Sequence, residues 1–349
     1  MTTEHDKPEV IHLDNFISID RQQLNLHDID PKYIHLKDGI TVFDGEKWHL
    51  YVTADKLKEG GDYEIIHFIS PDKTLSTDWV YTGKIDFDEE PSRISAPGVV
   101  YDPDTKLYTM FVHTNFRAEY GVVGTEHIDM FQSYDGVTFL SQEQILQAEI
   151  EHGEISIYDP HPFEYEGNKY IIYTAVREHR KHAFCLARST DKTWQGTWEK
   201  LGPVLEEHEV PFQDLTENKE TSIEGPQIII VDNIPILFGV CFLEEGPATP
   251  PGKRQRVFIA IGQEDLTHFF PIGPLLSPVN NEWESGENGH PAAVLNEDVL
   301  SIIYHSRAKD PKVFDPPWRL GMGNIKIEDI KKLHQRMLST YYNHQQWKT

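Results

Sequence analysis

The chain is poor in several features that would settle its class at once. Its 349 residues include only two cysteines, too few for a disulfide framework. Cys185 and Cys241 each sit inside an apolar, strand-like run and read as buried thiols. Positive charge is also scarce: 32 Lys and Arg stand against 57 Asp and Glu, a formal charge of -25. Nucleic acid and anionic membranes both call for a basic face, so neither is expected as a partner. No uninterrupted apolar run is long enough to cross a bilayer. The opening residues, MTTEHDKPEV, lack both the basic start and the apolar stretch of a secretory leader, so a cytoplasmic location is expected.

Phosphate-binding loops, the dinucleotide glycine fingerprint and the Gly-x-Ser-x-Gly elbow are missing too. The run Glu178-His179-Arg180-Lys181-His182 places two histidines three apart, but without the accompanying ligands of a zinc site. The sequence therefore requires no cofactor. Helical periodicity is nearly absent as well. It appears once, from about 327 to 343, where Ile330, Leu333, Met337, Leu338 and Tyr341 form an apolar stripe. A short C-terminal helix packed under the rest of the chain is expected there, with a dimer face as the lesser alternative.

What the chain does have is a fivefold repeat. Lys37-Asp38-Gly39 precedes ITVFDGEKWHLYVT, Ser95-Ala96-Pro97 precedes GVVYDPDTKLYTMFVHT, and Tyr158-Asp159-Pro160 precedes HPFEYEGNKYIIYTA. Ile223-Glu224-Gly225-Pro226 then precedes QIIIVDNIPILFGVCF, and Asn288-Gly289-His290-Pro291 precedes AAVLNEDVLSIIYHSR. Taking 38, 96, 159, 224 and 290 as markers, the spacings are 58, 63, 65 and 66 residues. Each unit reads as a strand, a Gly, Asp or Asn turn and a second strand, with further strands before the next unit. Units of this length holding about four short strands predict an all-β, five-bladed β-propeller. The expected organisation is one domain over 1–349, with blades starting near 34, 95, 156, 221 and 287. A two-sheet sandwich is the alternative, but it would not need one phase five times.

In a propeller, equivalent inner-strand positions meet at one mouth. The repeat would thus gather Asp38, Asp159, Glu224 and His290. Singly, each acid could be a turn residue. Jointly, crowded carboxylates split their pKa values, which suits a general acid working beside an ionised carboxylate. Hydrolysis of a glycosidic bond uses such a pair, and acids on different blades suit the wider spacing of an inverting mechanism.

These residues resemble glycoside hydrolase family 43 and its relative family 62, five-bladed propellers that cleave α-L-arabinofuranosides and β-D-xylosides. The resemblance runs over roughly residues 34 to 310. It implies that Asp38 is the general base, Asp159 tunes and orients the acid, and Glu224 is the general acid. The stretches Gly289-His290 and Tyr304-His305-Ser306-Arg307 resemble the family's fifth-blade motifs, implying His290 and Arg307 near the substrate. They also imply a candidate calcium or sodium ion in the central channel, reached by His290 through waters. Family 43 usually has Asp-Pro where this chain has Asp38-Gly39, and Asp30-Pro31 is the rival base, lying too far upstream to keep the blade register. His161, two residues past Asp159, is a further candidate for the pocket wall, and Phe116 and Trp318 are candidate sugar-stacking aromatics. The expected substrate is an oligosaccharide or glycan, with oligomeric state left open. A galactose- or anhydrogalactose-cleaving propeller and a non-catalytic glycan-binding propeller are the alternatives.

Overall fold

In the computed structural model, which describes residue 13 and residues 17–55, 63–71, 73–89, 91, 94–114, 126–210, 223–243, 254–276, 283–308 and 317–346, the repeat becomes five sheets. The innermost strands are His35–Phe43, Ser95–Asp102, Glu154–Tyr165, Ile223–Val231 and Glu287–Asn296, one per blade. Each turns back through a tight hairpin into an antiparallel second strand. The hairpins sit where the sequence supplies residues that tolerate positive φ: Gly45, Glu166-Gly167 and Asp232-Asn233. Two successive positive-φ residues match the twist of the flanking strands, which is why such pairs favour hairpins.

The second strands are mostly buried. Trp48–Asp55 is buried at every position, as expected for a strand packed on both faces between neighbouring blades. Phe68, Phe111, Phe184, Phe238, Phe258 and Tyr304 are fully buried in the clusters that fill those gaps. Each such side chain stabilises the fold by about 1.5–3 kcal/mol relative to exposure. Cys185 and Cys241 are free and buried, part of this packing.

The ring closes by strand exchange. Asp20–Gln23 pairs antiparallel with Arg319–Lys326, so the start of the chain forms the outer strand of blade five. Directly afterwards Asn25–His27 joins the outer edge of blade one in parallel. Asp86–Phe87 likewise joins the outer edge of blade two. The one α-helix among the described residues, Ile327–Gln346, follows the last strand and buries Ile330 and Leu333 in the cluster formed by blades four and five. Lys331 on this helix pairs with Asp232 at 2.5 Å. Among the described residues no helix is long and apolar enough to cross a membrane.

Candidate active site

All five inner strands break register at the same place. The shifts lie between Lys37 and Ile40, Ser95 and Gly98, Tyr158 and His161, Glu224 and Gln227, and Gly289 and Ala292. At each bulge one residue adopts a left-handed backbone: Asp38 (φ 52°), Ala96 (47°), Asp159 (53°), Gly225 (59°) and His290 (40°). Four of these are not glycine, and such positions cost of order 1–3 kcal/mol each, a strain typical of functional sites. Bulge amides lost from the ladder find acceptors across blade boundaries. Asp38 N–H donates to His305 Nδ1 (3.3 Å), Ala96 N–H to Thr53 Oγ1 (2.9 Å) and Gly225 N–H to Asp159 Oδ2 (3.0 Å).

This geometry corrects the phase read from the sequence. The residue of blade four equivalent to Asp38, Asp159 and His290 is Gly225; Glu224 stands one position earlier. The reason is steric. A Cβ at Gly225 would lie 2.9 Å from His290 Nδ1. Blade four must leave that space empty, so its acid enters from the neighbouring position.

His290 occupies the middle of the mouth. Its Nδ1 lies 3.3 Å from Asp38 Oδ1 and 3.8 Å from Asp159 Oδ2, and its Nε2 lies 3.9 Å from Glu224 Oε2. The expected acids are thus brought together around one imidazole. Asp38 and Asp159 lie deepest, with side chains 8% and 9% exposed, while Glu224 is 24% exposed and nearest solvent. Asp30, the rival base, is instead an exposed turn residue paired with Lys32.

The charges sort themselves unequally. Burial opposes the His290 cation, yet Asp38, Asp159 and Glu224 outweigh it and raise its pKa to about 9. Burial pushes Asp38 up, but His290, His305 and Lys37 prevail and hold it well below the usual carboxylate range. Asp159 goes the other way. Burial, reinforced by Asp38 and Glu224 against the pull of His290, lifts it to about 7. Glu224 is lowered, because His290 and His182 outweigh burial. The two carboxyls thus shift in opposite directions, Asp159 up and Glu224 down.

His305, which the sequence reading left without a role, sits behind Asp38. Its Nδ1 lies 3.3 Å from both the Asp38 backbone nitrogen and Asp38 Oδ1, and its Nε2 lies 2.9 Å from Gln255 Oε1. Burial depresses it to about 4, keeping it neutral. The sequence signal for it was its place in Tyr304-His305-Ser306-Arg307, and in the sheet it pairs with Gly289, one residue before His290.

The other expected residues fare differently. His161 lines a cavity of about 40 Å³ on the channel floor, bounded also by Asp38, Asp159, Gly225 and His290. Burial lowers its pKa to about 3, and its Nδ1 is buried without a partner. Arg307 is held by Glu287 and lies 4.3 Å over the Trp318 ring. Trp318 is not a solvent-facing platform: it is 2% exposed and packs 4.4 Å from the His305 ring. Its work is to back His305 and Arg307 from behind. Phe116 lies outside the described residues. Among the described residues no group of three or more His, Cys, Asp or Glu is arranged to hold a metal ion. Both His290 nitrogens face carboxylates.

Sequence comparison shows the family. Residues 65–314 match the family described as beta-1,4-mannooligosaccharide phosphorylase. The chain belongs to that family. It is similar to a 1,2-beta-oligomannan phosphorylase of Thermoanaerobacter sp. (strain X514), 27% identical over 210 residues. That match covers 58% of this chain and 59% of the relative, so the chain spans well under two thirds of it. The fold resembles the catalytic domain of a Coprinopsis cinerea GH62 alpha-L-arabinofuranosidase (TM-score 0.63, 10% identity, 88% of this chain and 96% of that one). It also resembles a thermostable family-43 glycoside hydrolase (TM-score 0.59, 17% identity, 86% and 91%). These likenesses establish the architecture: a five-bladed propeller shared among several glycoside-cleaving families.

Proposed function

We propose that the chain cleaves β-linked mannooligosaccharides by a single inverting displacement in which inorganic phosphate is the acceptor. The observation that carries this reading is the lone raised carboxyl, Asp159, beside two acids held ionised. Phosphate is already anionic and needs no base, so the reaction asks for one proton donor. A phosphate oxygen attacks the anomeric carbon and the bond to the leaving sugar breaks. The Asp159 proton passes to the leaving oxygen. The products are a mannose 1-phosphate of inverted configuration and a shortened oligosaccharide. His290 offsets the surrounding carboxylates, and Lys37 adds positive charge that favours the ionised Asp38. Glu224, nearest solvent, is placed to bind sugar hydroxyls. A channel ion has no part in this scheme.

A second reading, hydrolysis, is favoured by the acidity of the centre: Asp38 is ionised and could activate water in place of phosphate. The finer expectation of arabinofuranosides or xylosides belongs to the same test, as do galactosides. β-1,4- and β-1,2-mannobiose and mannotriose, aryl arabinofuranosides, xylosides and galactosides are incubated with and without inorganic phosphate, and products are followed by ³¹P and ¹H NMR. Sugar 1-phosphate that forms from mannosides only when phosphate is present is the expected result. Free mannose formed without phosphate replaces the phosphorylase with a hydrolase. Turnover of another glycoside alone moves the substrate. Sugar-dependent thermal stabilisation without any turnover leaves a glycan-binding propeller.

A further inference from the structure

A pocket of about 460 Å³ opens on the outer rim between blades two and three and shares no residue with the mouth. Its walls come from Gln144 and Gln147 on the outer strand of blade two, Glu149 in the connection, and Trp198, Glu199 and Lys200 on the outer strand of blade three. We propose that this pocket is a second, non-catalytic binding site for a neutral oligosaccharide.

The size falls in the range of about 300–1,000 Å³ usual for small-molecule sites. The chemistry narrows the occupant by elimination. Lys200 is 5% exposed, and its ammonium is committed to the Glu154 carboxylate and the Gln147 carbonyl. With Glu149 and Glu199 beside it, the pocket repels anions, inorganic phosphate included. A divalent cation would need converging carboxylates. Here Glu199 faces Arg188 at 2.8 Å and Glu149 faces His152 at 3.3 Å, so each acid is drawn to its own partner. A lipophile is excluded by walls that are mostly polar.

A polyol remains. Gln144 donates to Gln147 Oε1 at 3.0 Å, leaving the Gln144 carbonyl oxygen and the Gln147 amide N–H as a neighbouring acceptor and donor. Vicinal hydroxyls, each both donor and acceptor, match that pairing. Trp198 adds an indole wall whose N–H is buried without a partner among the described residues. Its ring is braced by Phe111 at 6.0 Å and Trp194 at 6.2 Å, so it meets a ligand already ordered. A rigid aromatic with amides around it loses little entropy on binding.

Only the choice of a mannan probe rests on the function proposed above. β-1,4-Mannotetraose is titrated into the full chain by calorimetry, and the contact is mapped by NMR. Two binding events per chain are expected. Gln144→Ala combined with Gln147→Ala should weaken the outer one about tenfold or more, the cost of one or two lost polar contacts, while mannobiose turnover is unchanged. Trp198→Leu, which removes the aromatic wall, should weaken the same event, with thermal unfolding checking that the fold is intact. A single event in the wild-type chain, a double variant that binds as wild type, or calcium or phosphate displacing the sugar from this pocket overturns the inference. If the mouth proves inactive on mannosides, xylo- and cello-oligosaccharides are titrated in the same way. Failure of all three sugars to contact Trp198 overturns the site independently of the catalytic reading.

Discussion

The carboxylate of Asp159 accepts the backbone N–H of Gly225 at 3.0 Å, across the boundary between blades three and four. The bond favours the ionised acid, but burial and the nearby Asp38 and Glu224 win, leaving a proton on Asp159 up to about pH 7. The residue is thus fixed in place by one oxygen and kept reactive by its neighbours.

Asp159→Asn preserves the bond to Gly225 through its amide oxygen and removes the transferable proton. Cleavage should fall about 10²–10⁴-fold, the usual contribution of a general acid. Initial rates measured across pH should show wild-type activity declining as pH rises through about 7. That decline should be missing from the residual activity of the variant. A variant that keeps the same decline places the titrating group elsewhere.

The same substitution should stabilise the fold in alkali. A carboxyl with a folded pKa of about 7 and an unfolded value of 3.8 contributes stability below the lower figure. It withdraws that stability as pH rises through the higher one. Urea unfolding should show no advantage for Asp159→Asn near pH 4, a growing one toward neutrality and a plateau by about pH 8. Equal midpoints at all pH values would mean that Asp159 is not held protonated.

Acid should weaken the chain well before its carboxylates titrate. His49 and His67 bond to each other at 2.9 Å beneath blade one, anchored by Asp44 at 3.0 Å and Tyr108 at 3.0 Å. Burial lowers the pKa of His49 and takes His67 to about 3; His113 and His161 are likewise depressed to about 3. Groups held neutral stabilise the fold above the unfolded value of 6.5, and that stability is lost as pH falls from there toward 3. Denaturation midpoints should therefore drop steadily between about pH 7 and pH 4. A flat profile over that interval would contradict the buried network.

Gly98 tests the fit between blades two and three. A Cβ there would lie 2.4 Å from the Pro160 carbonyl oxygen and 2.6 Å from Pro162 Cδ. Gly98→Ala should cost about 1–3 kcal/mol by overpacking, read from chemical denaturation. Because Pro160 follows Asp159, activity should fall further than the loss of folded protein explains.

Much of this architecture was legible from residues alone. Alternating apolar runs, Asp-Gly and Asp-Asn turns and a Pro- or Gly-marked start recurred five times, and period-2 patterning leaves few other ways to bury such strands. The register of blade four was not legible. Only the assembled mouth reveals that Gly225 must lack a side chain to admit the His290 ring. Trp318 was misjudged for a related reason: its position suggested a loop, but its surroundings, His305 and Arg307, come from another strand. The direction of each pKa could not be read either, since Asp159 and Glu224 differ by environment and not by residue type. The resemblance to family 43 rested on short motifs shared by propellers of different chemistry, so it located the acids without identifying the acceptor.

Asp38 and His305 meet across 267 residues of sequence, and blade five is completed by Asp20–Gln23 clasping Arg319–Lys326. The proposed activity therefore requires both of these long-range contacts to be formed. A nascent or half-refolded chain holds Asp38, Asp159 and Glu224 as three unrelated acids, inert toward glycans. Only when the two ends dock does the imidazole of His290 come among them. Recovery of turnover during refolding thus times the last step of assembly, whatever spectroscopic signal reports the blades before it.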